Sequence, residues 1–293
     1  KMDYKIIGET VPVVEMKLRA GETVYTQSGG MAYQSDGISM ATNARGGIMK
    51  SLGRMFTGES IFMANYTAQK DGAMVAFAST VPGGIIDLDL ATLPGGMMIQ
   101  KGAFLCAESN VETSVAFTKK ITAGLFGGEG FILQKVSGQG VAFAEFDGHV
   151  VEYELQPGQQ IVIDTGHLAA MTASCQMDIQ TVPGVKNMLF GGEGFVLQKV
   201  SGNGIVFAEF DGHVVEYELQ PGQQIVIDSG YLAAMSVTCQ MDIQTVPGLK
   251  NIVFGGEGLF NTVITGPGHV WLQTMPISSV ADSLRPYFPT SSK

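Results

Sequence analysis

Apolar and polar positions alternate in short runs along most of this chain, and Gly, Pro and Asp-Gly pairs cut the runs apart. The clearest stretch is Val141-Ala142-Phe143-Ala144-Glu145-Phe146, then Asp147-Gly148, then a second run from His149 to Leu155. Two strand-like runs around Asp-Gly predict a β-hairpin. In it Phe146 pairs with His149, Ala144 with Val151 and Ala142 with Tyr153. That register turns a mostly apolar face inward and leaves Phe143, Glu145, Val150, Glu152 and Glu154 on a wet face. A turn at Pro157-Gly158, a strand at Ile161-Val162-Ile163, a turn at Gly166 and an apolar run from Met171 to Met177 follow. Helical spacing appears in two places only. Ile48, Met49, Leu52 and Met55 predict a short amphipathic helix, read as covering the core, with a membrane- or partner-facing helix as the alternative. A second short helix is predicted over 279–284, stopped by Pro286.

The pattern is repeated. Residues 124–187 and 188–251 differ at 11 of 64 positions, nearly all of them small swaps such as Ile132/Val196 and Thr165/Ser229. Volume-conserving apolar swaps of this kind cost little in a packed core. Phe126-Gly127-Gly128-Glu129 opens the first block, Phe190-Gly191-Gly192-Glu193 the second, and Phe254-Gly255-Gly256-Glu257 starts a third, 64 residues further on. Phe56, Gly58 and Glu59 form a degenerate copy. The glycines read as a bend where backbone meets backbone, and the glutamates as carboxylates that hold backbone amides at a turn. Asp147-Gly148 and its copy Asp211-Gly212 are the expected hairpin turns.

A tandem repeat of this length implies stacked or ring-arranged units. The expected fold is all-β, a single repeat domain over 1–293 forming a pseudo-symmetric ring of four units with short peripheral helices. The units are 56–125, 126–189 and 190–253, plus a closing unit made of 1–55 and 254–293. Val13–Leu18 resembles Val150–Leu155, and Gly266–Leu272 resembles Gly138–Ala144. The two chain ends therefore carry the two halves of one hairpin, and closure predicts that they pair. A recent natural duplication and a deliberately inserted extra repeat both account for the near-identity.

Composition narrows function. Gly is abundant at 39 residues and charged residues make up 15%, which suits short strands and tight turns. The net charge of −10, with no basic stripe, argues against nucleic acid as a partner. The three cysteines, Cys106, Cys175 and Cys239, have no C-x-x-C spacing and read as reduced buried thiols. An odd count without a signal peptide predicts a cytoplasmic setting.

The segments from Arg45-Gly46-Gly47 through Arg54-Met55-Phe56-Thr57-Gly58-Glu59-Ser60, Leu125 to Phe131, and Gly266 to Met275 together resemble the bacterial relatives of altered inheritance of mitochondria protein 24. The resemblance covers essentially the whole chain. It implies an all-β, pseudo-threefold fold of the kind grouped with the tryptophan RNA-binding attenuator protein, so this chain carries one 64-residue unit more than that family. It implies no established catalytic residue. Eukaryotic members are linked to mitochondrial inner-membrane organisation.

Asp147-Gly148-His149-x-x-Glu152 recurs at Asp211–Glu216, which raises a metal site of cupin type. The competing reading is a pair of exposed turn histidines, and His269 aligns with Val141 rather than with either. No G-x-S-x-G, H-E-x-x-H, P-loop or dinucleotide fingerprint occurs. No catalytic residue, cofactor or metal is therefore assigned, and the protein is not expected to be an enzyme. The expected function is a structural or interaction scaffold, with protein partners or self-association. Peripheral membrane contact is not indicated. The alternative is a small-molecule or metal-binding β protein with a pocket at the ring axis.

Overall fold

A computed structural model describes residues 2–27, 30–43, 63–119, 131–164, 166–181, 196–245, 260–284 and 287–288. The four Phe-Gly-rich motifs with Glu59, Glu129, Glu193 and Glu257, and the helix expected near Ile48–Met55, lie outside these residues. The described chain is all-β, built from antiparallel ladders, with a 3-10 turn at Ser229–Tyr231 and one α-helix, α1 (Ile277–Leu284), where the second short helix is expected. Among the described residues no helix is long and apolar enough to cross a membrane.

Strands group in sixes. The first set is β2 (Val13–Leu18), β3 (Thr23–Gln27), β4 (Met31–Gln34), β5 (Ile38–Asn43), β6 (Met63–Ala68) and β7 (Ala73–Ala78). They form two three-stranded groups, β2-β7-β4 and β5-β6-β3, and β1 (Asp3–Ile7) adds to β2. The second set is β8 (Gly83–Asp89), β9 (Met97–Gln100), β10 (Phe104–Glu108), β11 (Val111–Lys119), β12 (Phe131–Gly138) and β13 (Val141–Asp147). The third comprises β14 (His149–Leu155), β15 (Gln160–Asp164), β16 (Leu168–Thr172), β17 (Cys175–Thr181), β18 (Val196–Gly202) and β19 (Gly204–Phe210). The fourth comprises β20 (Val214–Leu219), β21 (Gln224–Asp228), β22 (Leu232–Ser236), β23 (Gln240–Thr245), β24 (Phe260–Thr265) and β25 (Gly268–Gln273).

The chain divides into two compact units, one of residues 1–119, 131–147 and 170–173, the other including 148–169 and 174–293. The first contains the sheet β1-β2-β7-β4 and the six-stranded sheet β5-β6-β3-β10-β13-β8. Val14, Met16, Phe77, Cys106 and Phe143, all fully buried, share one core there. The second contains β17-β18-β15-β22-β25-β20, the same order one repeat pair later, and the three-stranded β21-β24-β23. Its core includes Val162, Leu219, Leu232, Ile264 and Val270.

Two expectations are corrected. Asp147-Gly148 is not a hairpin turn: β14 pairs with β19, setting His149 opposite Phe210, Val151 opposite Ala208 and Tyr153 opposite Val206. These partners are the expected ones displaced by one 64-residue repeat. The register is therefore the expected one, on the next copy. Asp211-Gly212 behaves alike, since β20 pairs with β25 rather than with β19. Glycine is still required at the bend: Gly148 has φ +62°, and a Cβ there would sit 2.1 Å from the Phe210 carbonyl oxygen. The wet face also fails on β13, where Phe143 is 0% and Glu145 9% exposed, because Tyr4 packs on Phe143 and Ser79 and Thr80 cover Glu145.

The second correction concerns closure. β2 pairs with β7 and β1, and β25 pairs with β20 and β22, so the two ends lie in separate sheets. The reason is the same displacement. Each hairpin-like second half finds its partner further along the chain: β2 with β7, β8 with β13, β14 with β19, β20 with β25. Neither terminal half is left over.

Candidate functional site

The densest polar and aromatic constellation of the second unit lies along one face of β25. Side chains two apart on a strand share a face, which groups His269, Trp271 and Gln273. Glu216 on β20 stands opposite Trp271. His269 Nδ1 lies 2.7 Å from Glu216 Oε1, and the His269 ring stacks on Trp271 at 5.7 Å between centroids. Tyr153 meets Trp271 edge-on at 5.4 Å. The Tyr153 hydroxyl is buried and has no hydrogen-bond partner among the described residues. Burial first, and then the Glu216 charge, push its pKa well above the ordinary tyrosine value.

Gln273 is 4% exposed and uses both ends of its amide. Oε1 accepts the Asp211 N–H at 2.9 Å, and Nε2 donates to the Gly230 carbonyl at 2.9 Å. The same nitrogen lies 3.3 Å from His167 Nε2. His167 Nδ1 is 2.9 Å from the Glu209 carbonyl oxygen, which can only accept, so Nδ1 carries the proton and Nε2 accepts from Gln273. Burial holds the His167 pKa below its ordinary value, against the opposing pull of the Glu209 carbonyl and the Asp211 charge. The ring is a neutral packing element stacked on Phe210 at 6.3 Å.

The first unit carries an equivalent strip on β13. By strand register Phe143 corresponds to Trp271, Asp87 to Glu216 and Glu145 to Gln273. Tyr4 packs edge-on against Phe143 at 4.9 Å and donates its hydroxyl to Asp87 Oδ2 at 2.7 Å. Burial, that hydrogen bond and the neighbouring carboxylates push the Tyr4 pKa up to about 12. Glu145 accepts from Ser79 Oγ at 3.0 Å, the Thr80 N–H at 2.6 Å and Thr80 Oγ1 at 3.1 Å. Thr80 and Asp211 are equivalent residues just after β7 and β19. In both units, then, a buried side chain on the last strand of one repeat takes the backbone N–H that follows the last strand of the repeat before it.

This is the job assigned to Glu129, Glu193 and Glu257, which lie outside the described residues. Among the described residues, Glu145 and Gln273 do it. The available signal was Glu145 within Ala142–Phe146, an acidic residue with apolar neighbours on both sides. His149 and His213 are exposed on β14 and just before β20. Among the described residues no three His, Cys, Asp or Glu side chains converge as metal ligands. Cys106, Cys175 and Cys239 are buried and in no disulfide, and burial and then the Glu145 charge push the Cys106 thiol well up.

Fold and site together define an all-β repeat protein whose buried polar groups tie one repeat to the next. The family model described as mitochondrial biogenesis AIM24 matches residues 4–198 and again 184–275, and the chain belongs to that family. An uncharacterised protein of Streptococcus pyogenes serotype M6 is 29% identical over 206 residues, 68% of this chain and 81% of the relative. A crystal structure of a Streptococcus pyogenes structural-genomics protein aligns with 98% of this chain and all of its own at 20% identity and a TM-score of 0.42, and no feature of it is carried over.

Proposed function

We propose that this AIM24-family chain is a non-enzymatic scaffold that works by assembling with further protein chains in a reducing, cytoplasmic setting. One observation carries the reading: both Glu145 oxygens are occupied by donors that follow β7. A carboxylate engaged in this way holds two repeats together, a structural use of its charge. Gln273 repeats the arrangement with a neutral amide, which cannot serve as a general acid or base. The net charge of −10 supports protein rather than nucleic-acid partners.

A second reading, a small-molecule-binding β protein, draws on the orphaned Tyr153 hydroxyl beside Trp271 and Glu216. Native mass spectrometry with elemental analysis of the purified chain separates the two. The scaffold reading expects the mass of the polypeptide or its multiples, with no stoichiometric metal or organic adduct. A stoichiometric adduct that is lost in Tyr153→Phe would overturn it in favour of the second reading.

A further inference from the structure

Within each compact unit, one repeat is joined to the next by an edge-to-edge strand pair, and these junctions share one register. In the first unit β3 meets β10, with Tyr25 opposite Ala107 and Thr26 opposite Cys106. There β9 also meets Ala170–Thr172, with Met98 opposite Met171. In the second unit β15 meets β22, with Val162 opposite Met235 and Ile163 opposite Ala234. Two strands of these types are left at sheet edges among the described residues. They are β4, the counterpart of β10 and β22, and β21, the counterpart of β3 and β15.

The exposure of matched positions records the missing neighbour. Val162 is 5% exposed inside a junction, whereas its copy Val226 on β21 is 59% exposed. Cys106 and Ala234 are 0% and 1% exposed, whereas Tyr33 at the same place on β4 is 42% exposed. Neither β4 nor β21 carries the Lys or Pro that commonly blunts a strand edge. β4 has a register shift between Met31 and Tyr33, a feature that elsewhere protects edges. Here β10 and β22 carry the same shift, at Phe104/Cys106 and Leu232/Ala234, and both pair across their junctions. The shift belongs to the junction and does not block it.

We infer that β21 of one chain pairs antiparallel with β4 of a second copy, setting Val226 opposite Gln34 and Ile227 opposite Tyr33. This rests on the scaffold reading above and supplies its partner. The two edges differ, so the contact is head-to-tail, and copies add until the array closes or continues as a filament. The bonding is that of β-strand addition: main-chain hydrogen bonds supply the affinity, Ile227 and Tyr33 supply an apolar contact on one face, and Val226 lies beside Gln34 on the other.

The test uses two full-length variants at exposed positions, Val226→Lys and Tyr33→Lys, in sedimentation and light scattering. The wild-type chain is expected to show concentration-dependent multiples of 31.0 kDa. Each variant alone is expected to stay monomeric, because every copy lacks the same edge. An equimolar mixture is expected to form a 1:1 dimer, because one variant retains β4 and the other β21. Should either variant misfold, Gln34→Cys mixed with Val226→Cys under mild oxidation reports the same contact. It is expected to yield a disulfide-linked species of twice the chain mass, and Gln34→Cys mixed with Val237→Cys is expected to yield none. A wild-type chain monomeric up to about 100 μM, a mixture that stays monomeric, or a Gln34→Cys/Val226→Cys double variant that links only within one chain would each overturn the inference. A monomer free of metal and ligand would still leave the non-enzymatic reading in place, so the two failures are distinguishable.

Discussion

Two of the three six-stranded sheets, one in each compact unit, have the same strand order and matching registers, yet they fill their equivalent polar positions differently. In β5-β6-β3-β10-β13-β8 the strip is Phe143, Asp87 and Glu145, and each carboxylate has hydroxyl or N–H donors. In β17-β18-β15-β22-β25-β20 the strip is Trp271, Glu216 and Gln273. There Glu216 takes His269 as its partner, Gln273 serves as both donor and acceptor, and the Tyr153 hydroxyl is left with none. Backbone pairing is therefore the constant of this repeat. One contact survives both fillings, the side chain at Glu145 or Gln273 that receives the N–H of Thr80 or Asp211. A position that keeps its contact while its chemistry changes is structural, and the aromatic and charged residues around it are free to vary.

The largest expected effect breaks that shared contact. Glu145→Ala takes the acceptor from the Thr80 N–H and hydroxyl, while the Ser79 hydroxyl keeps the Val81 carbonyl. It is expected to cost about 3 kcal/mol in chemical denaturation, with Gln273→Ala costing about 2. Equal costs would mean that the charge at Glu145 adds nothing. The next effect depends on pH. His167 is neutral in the fold with a lowered pKa, so the unfolded chain binds its proton first. The stability this contributes is full above the unfolded value of about 6.5 and is lost as pH falls through the folded pKa, at up to about 1.4 kcal/mol per pH unit. Between pH 7.5 and 5.5 the wild type should therefore lose more stability than His167→Gln, and parallel curves would refute the assignment.

A smaller pair of variants should differ in sign. Tyr4→Phe removes a hydrogen bond to Asp87 and should destabilise by roughly 0.5–1 kcal/mol, whereas Tyr153→Phe removes an unsatisfied hydroxyl and should stabilise by about 1. Thermal melting decides between them. His269→Ala should fall below about 0.5 kcal/mol, because His269 and Glu216 are 45% and 50% exposed and solvent screens the pair. A larger change would make this pair part of the structural core.

The strand runs, their turn glycines and even the residue-by-residue register of β14, realised on the next copy of its expected partner, could be read from local alternation, because side-chain period and turn residues are local properties. The identity of the partner could not. Residues 141–147 and 205–211 present nearly the same edge to Val150–Leu155, so only the path of the chain between them selects one. The wet-face reading of Glu145 fails for the same reason: its burial depends on Ser79 and Thr80, more than 60 residues away, which its own neighbourhood does not mention. The pairing of Tyr153 with Trp271 joins residues 118 apart, from differing parts of the repeat, and no spacing in the sequence announces it.

The central claim is that each second-half strand pairs one repeat downstream and not across its own Asp-Gly bend. Two double-cysteine variants test it most directly, by intrachain disulfide formation under mild oxidation at low protein concentration. Val151→Cys with Ala208→Cys places the thiols on directly opposed residues of β14 and β19 and should cross-link readily. Val151→Cys with Ala144→Cys should remain reduced. Cross-linking of the second pair in place of the first would restore the local hairpin and contradict the account.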